Sequence, residues 1–251
     1  LLSQKNKGCA AARNAGIARA QGGVVFFTDD DCVVPGHWLE AHAALHKEYP
    51  EAVGVGGWYW PPKDKPYDPF DFFYQLQFEL AYPNLANATT HTNTMLSPVG
   101  NTANVSYKKS VFKELGGFDE RITFTGGEDW EFKVRLVSEG KGFLSIPLHV
   151  MHIKTVSLVG FIKKSFRQGR GIHYWSAKYG QEYSLGVYRN FVWLVWRWYT
   201  HPITHRRGIG TYLLWLGCVR AGRLFNRVIS FAPDDSKQAP PAERFFKRIH
   251  S

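Results

Sequence analysis

The feature that most restricts the fold is the run Val24 to Phe27 in "GGVVFFTDDDCVVPGHW", four apolar β-formers with no polar residue on either side of the pleat. A strand of this kind belongs in a sheet covered on both faces. Before it, residues 5–20 (KNKGCAAARNAGIARA) are rich in alanine and basic residues, and Gly22-Gly23 follow as a stop, which predicts a helix. After it, Pro35 predicts the start of a helix through GHWLEAHAALHKEY, and AVGVGGWYW (52–60) predicts a further strand. Helix and strand alternate, as in an α/β sheet.

Asp29, Asp30 and Asp31 stand side by side where the first strand ends, the end at which open α/β sheets hold their ligands. Three successive carboxylates repel, so one must take a proton, turn to solvent or share a cation. A hard divalent ion, Mg2+ or Mn2+, removes the conflict and in turn recruits a diphosphate. On this stretch alone an acidic turn that caps the next helix is an equal alternative.

Further along, PPKDKPYDP (61–69) predicts a proline-broken loop, and FDFFYQLQFELAY an aromatic helix. NLANATTHTNTML (84–96) is polar and without period, either a lid or acceptor loop or a plain surface loop. NTANVSYKKSVFKELGGFDE (101–120) predicts a strand and a short helix closed by Gly116-Gly117. GEDWEFKVRLVSEGKG (127–142) predicts a helix, and FLSIPLHVMHI (143–153) the last strands.

Glu128-Asp129 form a second acidic centre. Carboxylates at a helix start ordinarily serve its dipole. Here a Gly126-Gly127 turn exposes them and Trp130 stands beside them, suited to face a sugar ring, which adds a catalytic reading. His152, at a strand end, is by itself an ordinary core or surface histidine. It gains interest as an imidazole partner for the aspartate site. The basic residues of KNKGCAAARNAG and FRQGRG are candidates for phosphate contacts.

Charge divides the chain. Residues 1–153 hold 14 Lys and Arg against 17 Asp and Glu, whereas residues 154–251 hold 17 against 4, so the net +10 comes from the C-terminal part. Such a block suits nucleic acid, an anionic membrane surface or a phosphorylated substrate. It reads as basic amphipathic helices, FIKKSFRQGRGIHYW, FVWLVWRWYTHP and RRGIGTYLLWLGCVRAGRLFNR. The uncharged run 208–219 is 12 residues long, well short of the roughly 20 that span a bilayer. Tryptophan beside arginine fits an interfacial segment instead. The last stretch, APDDSKQAPPAE, is linker-like. Three cysteines without a CxxC suggest neither a disulfide framework nor a zinc site, and no signal peptide is evident, which fits a reducing cytosol.

In order and spacing, GCAAARNAGIARAQGGVVFFTDDDCVVPGHWL, GNTANVSYKKSVFKELGGFDE, GGEDWEFKVRL and HVMHIKT with SFRQGRG resemble the inverting glycosyltransferases of family two, with their GT-A nucleotide-sugar-binding fold. The resemblance runs from about residue 5 to 172. It implies a Rossmann-like three-layer α/β/α sandwich over residues 1–154, a membrane-associating helical region over 155–231 and a flexible tail over 232–251. It implies that Asp29 and Asp31 hold a divalent cation (Mg2+ or Mn2+) on the donor diphosphate, with His152 as a further contact. Asp129 becomes the general base, with Glu128 its neighbour. Lys7, Arg13, Asn14, Asp30, Gln168 and Arg170 become nucleotide or diphosphate contacts, and Trp130, Asn101 and Asn104 acceptor contacts.

The expected reaction moves one sugar from a UDP-, GDP- or TDP-linked donor to a carbohydrate or lipid-linked hydroxyl, with inversion, in cell-envelope glycolipid or polysaccharide synthesis. The expected place is the cytosolic face of an anionic membrane, with no nucleic acid partner. The family's opening strands are missing before the "ARN" helix, and the QxxRW pattern of processive members is absent. An N-terminally truncated, weakly donor-binding chain and single-sugar transfer are therefore expected. From the residues alone two other readings stay open, a non-catalytic basic protein that binds nucleic acid or a membrane surface, and a metal-dependent nucleotidyltransferase.

Overall fold

The computed structural model describes residues 2–60, 90–92, 100–123, 126–153, 157–179 and 204–228. They divide into two compact units, the first ending at Lys154 and the second beginning at Thr155 among these segments. The 61–69 loop, the aromatic helix after it, the 191–202 helix and the tail lie outside the described residues.

In the first unit, α1 (Cys9–Arg19) leads into β1 (Val24–Phe27), β2 (Cys32–Val33), α2 (Trp38–Glu48), β3 (Ala52–Gly56) and β4 (Tyr59–Trp60). Then come β5 (Thr90–Thr92), β6 (Val105–Lys108), α3 (Lys109–Leu115), α4 (Glu128–Ser138), β7 (Gly142–Ser145) and β8 (Val150–His152). Five strands form one sheet in the order β1-β6-β3-β7-β5, and three form another in the order β2-β8-β4. The larger sheet is mixed: β3 and β7 run parallel, while β1 with β6, β6 with β3 and β5 with β7 are antiparallel.

Helices cover both faces of this sheet. On one, Ala10 and Ile17 of α1, Val111 and Phe112 of α3, and Phe132, Leu136 and Val137 of α4 close over Val25, Phe27, Val105, Tyr107 and Phe143. An aromatic stack builds that core, with Phe112 and Phe132 parallel at 5.0 Å and Phe27 edge-on to Phe118 at 5.6 Å. On the other face α2 lies over Ala52, Val55, Leu144 and Ile146. Phe26 turns to that side, 5.5 Å from the Trp38 ring. Side chains on β1 thus alternate between two covered faces, which explains why the strand carries no polar residue; Val24 and Phe26 remain half-buried.

Several boundaries move from the sequence expectation. Helix α1 begins at Cys9, not near Lys5, because Gly8 takes φ +95 and breaks the helical path. Helix α2 begins at Trp38 after a turn closed by Trp38 N–H on the Pro35 carbonyl. The segment read as a loop over 84–96 contains a strand, Thr90–Thr92, because its backbone completes the edge of β7.

The second unit contains α5 (Leu158–Lys178) and α6 (Thr204–Val228), two helices packed on each other. They cross at reciprocal glycines. A Cβ on Gly169 would stand 2.0 Å from the Val219 carbonyl oxygen, and one on Gly222 2.0 Å from that of Phe166. Among the described residues no helix is long and apolar enough to cross a membrane.

Candidate active site

The site forms where β1 ends. Asp29 and Asp31 sit in the β1–β2 turn, and the Asp29 carbonyl accepts the Cys32 N–H at 3.2 Å. Strand β2 pairs with β8 so that Cys32 stands opposite His152, and Ile153 N–H donates to the Asp31 carbonyl at 2.9 Å. This places His152 Nε2 3.3 Å from the Asp31 carboxylate. Ligand-type atoms of Asp29, Asp31 and Cys32 all lie within 4.8 Å of one another. Burial and the Asp29 carboxylate push the Cys32 thiol up to about 11. Two carboxylates beside a protonated thiol and an imidazole make an oxygen-rich donor set, which fits a hard divalent cation. Asp30 is exposed and outside this group.

The second acidic centre is tied to the first by Arg13. From α1 its Nη1 donates to Glu128 Oε1 at 2.5 Å, and its Nη2 donates to Thr102 Oγ1 at 2.7 Å. The same Nη2 lies 3.9 Å from Asp29 Oδ1. Burial alone would lower the Arg13 pKa, but the bonded Glu128 carboxylate and Asp129 raise it above its ordinary value. Gly126 and Gly127, at φ +106 and +110, turn the chain into α4. The other Glu128 oxygen accepts the Gly126 N–H at 3.0 Å, so both its oxygens have internal partners.

Asp129 differs from its neighbour. Its Oδ1 accepts the Trp130 N–H at 2.8 Å. Burial and the Glu128 carboxylate push its pKa up to about 7, against the pull of Arg13. A carboxyl group that titrates near neutrality can exchange a proton at working pH. One helical turn on, Lys133 is buried, and burial lowers its pKa to about 7 while Asp129 opposes the shift. Its ammonium lies 5.4 Å from the ring of Trp130, which is 39 % exposed.

Other expected contacts are engaged elsewhere. Asn14 clamps the turn after α3: its Nδ2 donates to the Phe118 carbonyl and to Glu120, and its Oδ1 accepts the Phe118 N–H at 2.8 Å. Asn104 is wholly buried, with both amide protons on the Trp58 and Leu148 carbonyls and its oxygen accepting from Trp38 Nε1. It braces the start of β4 through the Trp58 carbonyl. Asn101 bonds the Ala103 N–H and is half-buried, and Lys7 is exposed ahead of α1.

Gln168 and Arg170 lie on α5 in the second unit. Gln168 accepts from Trp215 Nε1 at 2.9 Å, and Arg170 Nε donates to Asn226 at 2.8 Å. The string "RQGRG" therefore lies at a helix crossing, where Gln168 and Arg170 bond side chains of α6. Cys32, Thr102 and Lys133 were missed in the sequence, although Lys133 stands four residues from Asp129, the spacing that shares a helix face.

Residues 1–116 match the model of glycosyl transferase family 2, and residues 94–157 that described as the N-terminal domain of galactosyltransferase. A glucosyl-dolichyl phosphate glucuronosyltransferase of Haloferax volcanii is 28% identical over 120 residues, 47% of this chain and 36% of that protein. The chain thus spans little more than a third of the length of this curated relative. Among solved structures, S. aureus TarS is similar at 16% identity and a TM-score of 0.45, over 68% of this chain and 28% of that one. The mannosyltransferase PcManGT of Pyrobaculum calidifontis, in complex with GDP-Man and Mn2+, is similar at 18% identity and a TM-score of 0.46, over 97% and 59%. The acidic turn after β1 lies within the residues matched by the first model and Glu128-Asp129 within those matched by the second, so residues 1–157 are similar to glycosyltransferases and the mixed α/β first unit has a GT-A fold.

Proposed function

We propose that the chain carries the donor-side and base-side halves of an inverting sugar transfer from a nucleotide-diphospho-sugar to a hydroxyl acceptor. The observation that carries this reading is Arg13, which bonds Glu128 at 2.5 Å while standing 3.9 Å from Asp29, so that both acidic centres share one guanidinium. A divalent cation held by Asp29 and Asp31, with His152 beside Asp31, would supply positive charge to the donor diphosphate. Arg13 keeps the two acidic centres from repelling each other. Asp129, ionised above about pH 7, accepts the proton of the acceptor hydroxyl as its oxygen bonds to the anomeric carbon. The bond from that carbon to the diphosphate oxygen breaks on the opposite face, so configuration inverts without a covalent enzyme intermediate. Trp130, half-exposed beside Asp129, would stack on the acceptor ring, and Asn101 of the polar GNTAN turn would offer it a further contact.

The donor is UDP-, GDP- or TDP-linked, and Lys7 and Asp30 are the exposed polar side chains offered to it. The acceptor is carbohydrate or lipid-linked, in envelope glycolipid or polysaccharide synthesis. The second unit favours a lipid surface on the cytosolic face. Leu158, Val159 and Ile162 are exposed at the start of α5, next to exposed Lys163, Lys164 and Arg167. The two other readings are not favoured, since neither a nucleic-acid binder nor a nucleotidyltransferase accounts for the match to the family 2 transferase model.

The test is release of nucleoside diphosphate from a panel of UDP-, GDP- and TDP-sugars with Mn2+ or Mg2+. One donor class should be turned over, and Asp129→Asn should abolish turnover while leaving donor binding by calorimetry in place. Donor binding that is untouched by Asp29→Ala and Asp31→Ala together would overturn the assignment. Flotation with anionic against neutral vesicles tests the surface, and equal recovery on both would remove it.

A further inference from the structure

At the opposite end of β1 from Asp29 a second cleft opens, of 560 Å3, which the proposed reaction does not use. It is lined by the Gln21–Val24 turn, by His46 and Lys47 at the end of α2, and by Lys108, Lys109, Ser110 and Lys113 where β6 runs into α3. Five residues of extended chain separate Val24 from Asp29, about 16 Å at 3.3 Å per residue. The two sites are therefore distinct.

Four lysines line this cleft, and among the described residues no aspartate or glutamate does. Two of them have a local structural use: the Lys108 ammonium donates to the Pro50 carbonyl and the Lys109 ammonium to the Ala20 carbonyl. Each such bond engages one of three N–H donors and leaves the charge uncompensated, since a carbonyl brings no countercharge. It also holds the two ammonium groups in place at the rim. Lys47 and Lys113 are exposed on the flanking helices and bring two further cations. Burial lowers the His46 pKa, and the nearby charge of Lys108 lowers it further. Ammonium groups around a polar hollow that Ser110 also lines match the demand of an anion with several oxygens and more than one charge. The volume lies in the range of small-molecule sites.

We propose that this cleft binds a phosphate-bearing polyanion of the size of pyrophosphate, free in solution or presented as a lipid headgroup. Two or more negative charges are favoured, because lysines from α2, β6 and α3 all line the hollow, with Lys108 and Lys109 tethered to different elements, Pro50 after α2 and Ala20 after α1. The inference does not depend on the sugar-transfer reading.

The test is titration of the whole chain with pyrophosphate by calorimetry in EDTA, which silences any cation-dependent site. Saturable binding is expected, weakening with added salt. It should weaken by about tenfold or more in Lys47→Ala/Lys113→Ala, since each lost charge-assisted contact is worth at least about that factor. Asp29→Ala should leave it unchanged. Both lysines are exposed, and circular dichroism checks that the double variant keeps its fold. A parallel arm floats the protein on vesicles containing phosphatidic acid against phosphatidylcholine alone. Pyrophosphate binding lost in the double variant supports a soluble ligand, and flotation on phosphatidic acid lost in the same variant supports a headgroup. Pyrophosphate and vesicle binding that are both absent, or both indifferent to the double variant, overturn the site.

Discussion

Arg13 and Glu128, 115 residues apart in the chain, meet through a hydrogen bond of 2.5 Å, with the Glu128 side chain only 4% exposed. The pair joins the first helix of the unit to the start of α4. Removing the cation strands a buried carboxylate, so Arg13→Ala should cost about 3–5 kcal/mol, the range for breaking a buried ion pair from one side. Glu128→Gln keeps the shape and should cost less. Urea unfolding of both variants, followed by tryptophan fluorescence, checks the order.

The Asp129 carboxyl group carries the expected pH dependence. Its folded pKa of about 7 lies above the ordinary 3.8, raised by burial and then by Glu128. Turnover should fall as pH drops through about 7, because the base is then protonated. Asp129→Asn should reduce turnover by about 10²–10⁴-fold. Glu128→Gln should move the acid limb downward. Rates measured from pH 5 to 9 with a competent donor read both effects.

The same group makes a stability prediction with a definite sign. A raised folded pKa favours the protonated form, so its contribution is fully present below the unfolded pKa and is lost as pH rises through about 7. Asp129→Asn should therefore raise Tm at pH 8 relative to the unsubstituted chain, and the difference should shrink towards pH 4. Differential scanning at the two pH values reads it.

Ser106 lies between two buried imidazoles, its Oγ 2.8 Å from His42 Nδ1 and 2.9 Å from His46 Nε2. A hydroxyl has one proton, so it donates to at most one ring and accepts from the other. Burial lowers both histidines to about 4, with the charge of His46 adding to the shift of His42 and that of Lys108 to the shift of His46. Here the folded state prefers the neutral form, so stability is full above about pH 6.5 and is lost as pH falls towards 4. Ser106→Ala leaves ring nitrogens without their partner and should cost about 1–3 kcal/mol at pH 7. Unfolding midpoints from pH 7.5 to 4.5 test both statements.

Cys32 stands among the metal-type ligands but keeps its proton, with a thiol pushed up to about 11 by burial and by Asp29. Cys32→Ser should leave Mn2+ affinity within a few-fold. Asp31→Ala should weaken it by about tenfold or more, since a carboxylate is the stronger hard donor. Electron paramagnetic resonance of free Mn2+ distinguishes the two outcomes.

Much of this was legible in the sequence for a simple reason: strand β1 ends in its acidic turn within one continuous stretch, and Gly126-Gly127 announce the start of α4 locally. The periodicity of the chain also forecast helices on both sides of the sheet. What remained hidden is what folding brings together from a distance. Asn14 and Asn104 look like ligands for a substrate because polar side chains near a site usually are, yet long-range contacts with Phe118, Trp58 and Leu148 take up their amides. Gln168 and Arg170 fell in a basic string whose glycine proved to serve a helix crossing. Cys32 escaped notice because a lone cysteine carries no spacing to recognise, and its place opposite His152 is a matter of register.

That register has a consequence for how the chain tolerates change. Along a strand, neighbouring side chains face opposite ways. Deleting Met151 would swing the imidazole to the far side of β8 and bring Ile153 beside the Asp31 carboxylate. The register of the last strand of the first unit against the acidic turn is thus fixed to a single residue.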